Sequence, residues 1–221
     1  MIKLHRKVPF FRRGSVFKPA HRPITANEAR QCLRVAFGAT LGFTVSKLMG
    51  WNYGTFFTVY PMLLLGLAPV LNSHIIRQFL ANISLVTVFV IVVQGMFGDQ
   101  AIPMTIAVFL IFTFMFHCMS QGTNFLFGAL GVVSLSMQLH FASYSNASLN
   151  DLVMSNIAAS LLTIFVAILM HVIFPDVEIR EKRPVAIKPK SNSHHEVILA
   201  ATIATLSFVY RYIVFRRLSS V

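Results

Sequence analysis

Seven apolar blocks, near residues 29–49, 54–72, 75–97, 102–119, 123–141, 152–174 and 195–215, divide the 221-residue chain. Each approaches the roughly 20 residues that a helix needs to cross a hydrocarbon core of about 30 Å. The pattern predicts six membrane-spanning helices and a weaker seventh. The expected fold class is therefore all-α, a polytopic membrane helix bundle. The links are brief: Gly50–Tyr53, Asn72–His74, Gly98–Ala101, Ser120–Gly122 and Ser143–Asp151. Connections this tight make consecutive helices antiparallel.

Composition agrees with a lipid solvent. Hydrophobic residues make up 56% of the chain and charged residues 12%, with a mean hydropathy of +0.70. A soluble domain carries about a quarter charged residues. The net charge of +12 comes without a long basic helix, an RNA-binding signature or a zinc spacing, so nucleic acid is not an expected partner. The lipid bilayer is.

The charge is better read as topology. Nine of the 19 Lys and Arg residues lie between residues 3 and 34, Arg12, Arg13 and Arg30 among them. Basic residues flanking membrane helices stay on the cytoplasmic side. Residues 1–28 are thus expected to form an uncleaved basic cytoplasmic tail, with docking to anionic lipid heads as a functional alternative. A six-helix bundle follows over 29–174, then a cytoplasmic linker over 175–194 carrying Arg180, Lys182 and Arg183. Arg77, in the second turnaround, falls on the same side. The outer loops hold Lys47, Asp99 and Asp151, which fits that orientation.

Residues 195–221 break the pattern. A seventh crossing delivers Arg211, Arg216 and Arg217 to the outer side. Residues 192–208 also align without gaps on residues 27–43, sharing Asn, Ala, Ala, Thr, Leu and Phe. Six identities among apolar-biased positions arise either by chance or from a duplication, in which case a second repeat is expected to begin just before the chain stops.

Several short motifs appear in order over residues 27–82: Cys32-Leu33-Arg34-Val35-Ala36, Gly38-Ala39-Thr40-Leu41-Gly42-Phe43, the turn Trp51-Asn52-Tyr53-Gly54, Tyr60-Pro61, and the basic turn Asn72 through Gln78. With them the chain resembles the fusaric acid resistance and aromatic acid exporter proteins of bacterial inner membranes, most of all a branch described only as a domain of unknown function. The resemblance implies two six-helix halves that export aromatic or other organic acids, sometimes beside a periplasmic adaptor protein. It places residues 1–175 as one half with its tail, in the bacterial inner membrane with the N-terminus cytoplasmic. The chain departs from that plan by carrying one helix of the second half. A truncated exporter is one expectation, a homo-oligomer that replaces the missing half another, and a non-transporting membrane subunit or scaffold a third.

The residues expected to contact a solute are those that are polar, or that break the backbone, at membrane depth. Arg34 lies about 8 Å into the first helix at 1.5 Å per residue. It is placed either to snorkel or pair structurally, or to hold a carboxylate in a bidentate fork. Pro61 removes a backbone hydrogen bond and frees the carbonyl of Phe57. Such a break either lines a solute cavity or simply kinks the helix. Asn52, Tyr53 and Tyr60 complete the substrate set, although Trp51 and Tyr53 also suit an interfacial belt. Gly38 and Gly42 form a GxxxG pair suited to close helix packing.

Catalysis finds no support. The chain has no GxSxG, Walker or HExxH motif, and no cofactor or metal is expected. Its seven carboxylates all fall at helix ends, in loops or in tails. Gln138, Asn82 and Asn156 are expected to hydrogen-bond between helices. Cys32 and Cys118 are expected to be free thiols.

Overall fold

The computed structural model describes residues 24–97, 100–144, 147–177 and 193–218. Arg12, Arg13, Arg180, Lys182 and Arg183 lie outside them, as do most of the tail and linker expected over 1–28 and 175–194. The described residues form seven helices: α1 (Ala26–Leu48), α2 (Gly54–Leu67), α3 (Ser73–Phe97), α4 (Ala101–Ser120), α5 (Phe125–Ala142), α6 (Leu149–Ile173) and α7 (Ser193–Leu218).

Six full spans are not what the helices provide. Four of them, α3 to α6, are both long and apolar enough to cross a membrane. Pro69 is the reason α2 falls short. A residue before proline is driven out of the helical region, and Ala68 sits at φ −109°, ψ 86°. The expected block 54–72 therefore yields a helix of 14 residues, about 21 Å long at 1.5 Å per residue. α1 has the length, with 23 residues, but Glu28, Arg30, Arg34 and Lys47 dilute its hydropathy. The outward faces of α4 and α6 are apolar, with Ile106, Leu110, Leu161 and Phe165 exposed. Exposed apolar surface on helices of spanning length indicates a lipid environment.

The ends of α1 are written in local sequence. Thr25 and Glu28 form a capping box, each side chain accepting from the other's backbone nitrogen, worth about 1 kcal/mol for the Thr cap. At the far end Gly50 adopts φ +67°, which only glycine takes at little cost. The nitrogens of Gly50 and Trp51 then donate back to the carbonyls of Lys47 and Ser46. The helix closes in a Schellman turn.

Two packed clusters make up the interior. One joins α2 to α6 through Phe56, Phe57, Leu64, Ala159, Val166 and Met170. The other joins α3, α4, α5 and α7 through Val86, Val108, Phe112, Leu135 and Ala201. α1 lies against α2 and α6, and α7 lies mainly against α4.

α1 is held at its middle by glycine. Gly38 faces Leu65, Val166 and Met170, and a Cβ built at Gly42 would overlap the Phe57 carbonyl oxygen. That oxygen is the one Pro61 deprives of its helical donor. The crossing thus places the barest position of α1 on the freed carbonyl of α2, where a Cα–H can approach it.

α1 is held at its start by arginine. Pro69 and Pro175 follow the ends of α2 and α6, whose last carbonyls lack helical partners. Arg34 is 1% exposed and answers several acceptors at once. Its Nε donates to Phe174 O at 2.7 Å, one terminal nitrogen to Pro69 O at 3.3 Å, and the other to the Asp176 carboxylate at 2.6 Å. Gln31 donates to Gly66 O at 2.9 Å, Arg30 to Pro175 O, and the Val177 nitrogen donates to Asn27 Oδ1 at 2.9 Å. One face of α1 binds both proline-terminated helix ends.

Two outcomes follow for the purified protein in detergent. Arg34→Lys keeps the charge but not the planar fork, so it is expected to lower unfolding stability by about 1–3 kcal/mol, the range for unsatisfied buried groups. A thermal or denaturant midpoint equal to that of the parent would remove the clasp from the account. Gly42→Ala is expected to cost at least about 1–3 kcal/mol by overpacking against backbone. Gly95→Ala, with no heavy atom within 4 Å of its added Cβ, is expected to be neutral or stabilising in the same measurement.

Candidate functional site

Burying a polar side chain among apolar helices costs free energy unless its hydrogen bonds are made. The interior nevertheless gathers several. Tyr60 of α2 donates its hydroxyl to Asn156 Oδ1 of α6, and Asn156 Nδ2 donates to Thr87 Oγ1 of α3 at 2.7 Å. Tyr60 is 1% exposed and Asn156 0%. Asn156 lies seven residues into α6, about 10 Å, and Thr87 ten residues before the end of α3, about 15 Å. Both positions are within helices of spanning length.

A second cluster continues along α3. Asn82 Nδ2 donates to Phe127 O at 2.7 Å, and Ser134 Oγ of α5 lies 3.1 Å from Asn82 Oδ1. Gly131 makes the approach of α5 feasible, since a Cβ there would crowd Asn82 Nδ2 and the sulfur of Met115. Small residues thus admit the polar contacts, as they do between membrane helices generally.

Gln138, one turn beyond Ser134 on the same face of α5, is the odd member. It is 0% exposed and adjoins the Tyr60 side chain. The Tyr60 hydroxyl is close enough to interact with the amide, yet neither the amide nitrogen nor the amide oxygen makes a contact of full hydrogen-bond geometry. An unsatisfied buried amide costs about 1–3 kcal/mol. Such a group calls for an explanation beyond packing.

The expected substrate set does not converge. Arg34 is in the clasp at the end of the bundle where α1 begins, so its guanidinium pairs within the chain rather than snorkelling. Asn52 and Tyr53 are in the α1–α2 turn at the opposite end. There Asn52 Nδ2 is 3.3 Å from Asp151 Oδ2, and the Tyr53 ring meets Phe141 edge-on at 5.2 Å. Burial, and then the Asp151 carboxylate, raise the Tyr53 phenol above its ordinary pKa. Tyr60 alone of the set reaches the buried network, with Pro61 beside it against Gly42. Arg77 is exposed in the second turn of α3. Cys32 and Cys118 are free thiols, exposed and buried respectively. Among the described residues no three His, Cys, Asp or Glu side chains are placed to hold a metal ion.

Thr87 and Ser134 of the network, and Asn27, Gln31 and Asp176 of the clasp, went unnoticed in the sequence. The hydroxyls carry a signal only in retrospect, through helical spacing from Asn82 and Gln138. Asp176 is marked by the proline before it, which ends α6 and turns the next carboxylate back toward α1.

No curated protein and no solved structure matches the chain. A family model does match, over residues 31–170. That stretch contains the Arg34 side of the clasp, both glycines of the α1 crossing and every member of the buried network. As it covers more than half of the sequence, the chain belongs to the family described as protein of unknown function, DUF2955.

Proposed function

We propose that this protein is a transporter-like bundle of the bacterial inner membrane that moves small organic acids, aromatic ones among them, outward. In this reading α1 and α2 complete a six-span unit with α3 to α6, the N-terminus is cytoplasmic, and a second copy or a periplasmic adaptor completes the path. The observation that carries the proposal is the Gln138 amide, fully buried beside Tyr60 and Asn156, with the Tyr60 hydroxyl as a neighbour but with no well-formed hydrogen bond at either of its polar atoms. A side chain that weakens the fold where it stands is explained by a solute that satisfies it. Its nitrogen can donate to a carboxylate oxygen, as can the second N–H of Asn156 Nδ2. Intramembrane polar groups of this kind mark solute paths by default.

A second reading, a non-transporting membrane subunit, draws support from the clasp. Arg34, the cation farthest from either end of α1, is bonded to the chain's own carboxylate and carbonyls. For the same reason an Arg34 variant tests folding before it tests transport.

Gln138→Leu separates the readings, because it keeps the volume and removes the unsatisfied amide. Thermal stability is expected to stay equal or rise. Protection of an exporter-deficient strain against a panel of aromatic acids is expected to fall to that of the empty vector, at equal protein level. Unchanged protection by Gln138→Leu, or no protection by the parent chain, would favour the subunit.

A further inference from the structure

α5 presents two polar faces. Ser134 and Gln138 look into the network, while Ser136, His140 and Ser143 look the other way, toward α4 and α7. There they line a cavity of about 190 Å³ together with Phe112 of α4 and Ala204, Ser207 and Phe208 of α7. Phe112 is buried, Phe208 and His140 are half-buried, and Ser136 and Ser207 sit at the exposed rim.

We infer that this cavity binds a neutral one-ring aromatic molecule that donates a hydrogen bond, a phenol being the simplest case. Size is the first argument. An apolar cavity of about 150 Å³ holds benzene, so this one admits a single ring with a small substituent. The wall is the second. Phe112 and Phe208 offer aromatic faces and edges, which favour another ring over an aliphatic chain of equal area.

Hydrogen-bond accounting supplies the third argument and decides the substituent. Ser136 Oγ donates to Val132 O at 2.7 Å, Ser143 Oγ to His140 O at 2.7 Å and Ser207 Oγ to Ile203 O at 2.9 Å. Each hydroxyl has one proton and two lone pairs. With the protons given to the backbone, what the serines keep is the capacity to accept. His140 Nε2 is within 3.0 Å of the Tyr144 hydroxyl, which holds the ring at the end of the cavity. A carboxylate meets serines whose protons are already given to the backbone, and it brings a charge into a mostly apolar wall at a cost. A phenolic O–H meets an oxygen acceptor instead.

This site is separate from the buried network, and its test does not depend on transport. Full-length protein in lipid nanodiscs is dialysed to equilibrium against labelled phenol, benzoate or benzene at pH 7.5, with protein-free nanodiscs as the background. Phenol is expected to bind saturably above background and at least about tenfold more tightly than benzoate, the order of one to two lost hydrogen bonds. Ser136→Ala with Ser207→Ala should weaken phenol several-fold and leave benzene unchanged. Ala204→Phe, which fills the cavity, should abolish both. The serine pair lies at the rim, so its loss leaves the packing of α7 intact. Benzoate binding as tightly as phenol, phenol insensitive to the serine pair, or no saturable phenol binding would each overturn the inference.

Discussion

The attachment of α1 depends on one guanidinium. Two helices end at prolines, and helices that end at prolines leave carbonyls facing nothing. Arg34 stands where both sets of carbonyls meet, with Asp176 as its counter-ion at 2.6 Å. A buried charge is tolerable only when paired and fully hydrogen-bonded, and Arg has the fork that such an arrangement requires. Through it α1, which is too polar to count among the helices that cross a membrane unaided, is tied to α2 and to the chain leaving α6. The glycine crossing at Gly42 then fixes how closely α1 and α2 lie over the rest of their length.

The buried network is possible because that attachment holds. Tyr60 is carried by α2, the short helix, and its hydroxyl reaches Asn156 only while α2 stays pressed between α1 and α6. The polar groups of four helices then meet at a depth where water is scarce. Most of them satisfy one another, and Gln138 does so least, with no contact of full hydrogen-bond geometry. A network complete in itself would be read as packing. The poorly satisfied amide is the feature on which the proposed solute path rests.

Much of this was legible in the sequence, and the rest was hidden for physical reasons. Apolar blocks located all seven helices, because hydrophobicity is a local property. Their use as spans was less legible. The block 54–72 looked long enough until Pro69 ended α2 at Leu67, an effect that hydropathy does not register. Gly42 was recognisable as a packing residue, and Pro61 as a source of a free carbonyl. That the two answer each other depends on a crossing point that only the fold supplies. Arg34 was singled out for its position, but its acceptors are about 35 and 140 residues away along the chain. Long-range partners leave no periodic trace. Asn82, Gln138 and Asn156 stood out as polar residues in apolar helices, whereas Thr87 and Ser134 are unremarkable in any membrane helix.

A double-mutant cycle tests the central claim most directly. Unfolding free energies are measured in detergent for the parent, Arg34→Leu, Asp176→Leu and the double variant. If the pair anchors α1 as described, Asp176→Leu alone strands a buried charge, and adding Arg34→Leu recovers part of the loss. The coupling energy should then fall in the range of about 1–3 kcal/mol found for residues in one network. Effects that add within about 0.5 kcal/mol, the behaviour of independent sites, would contradict the account.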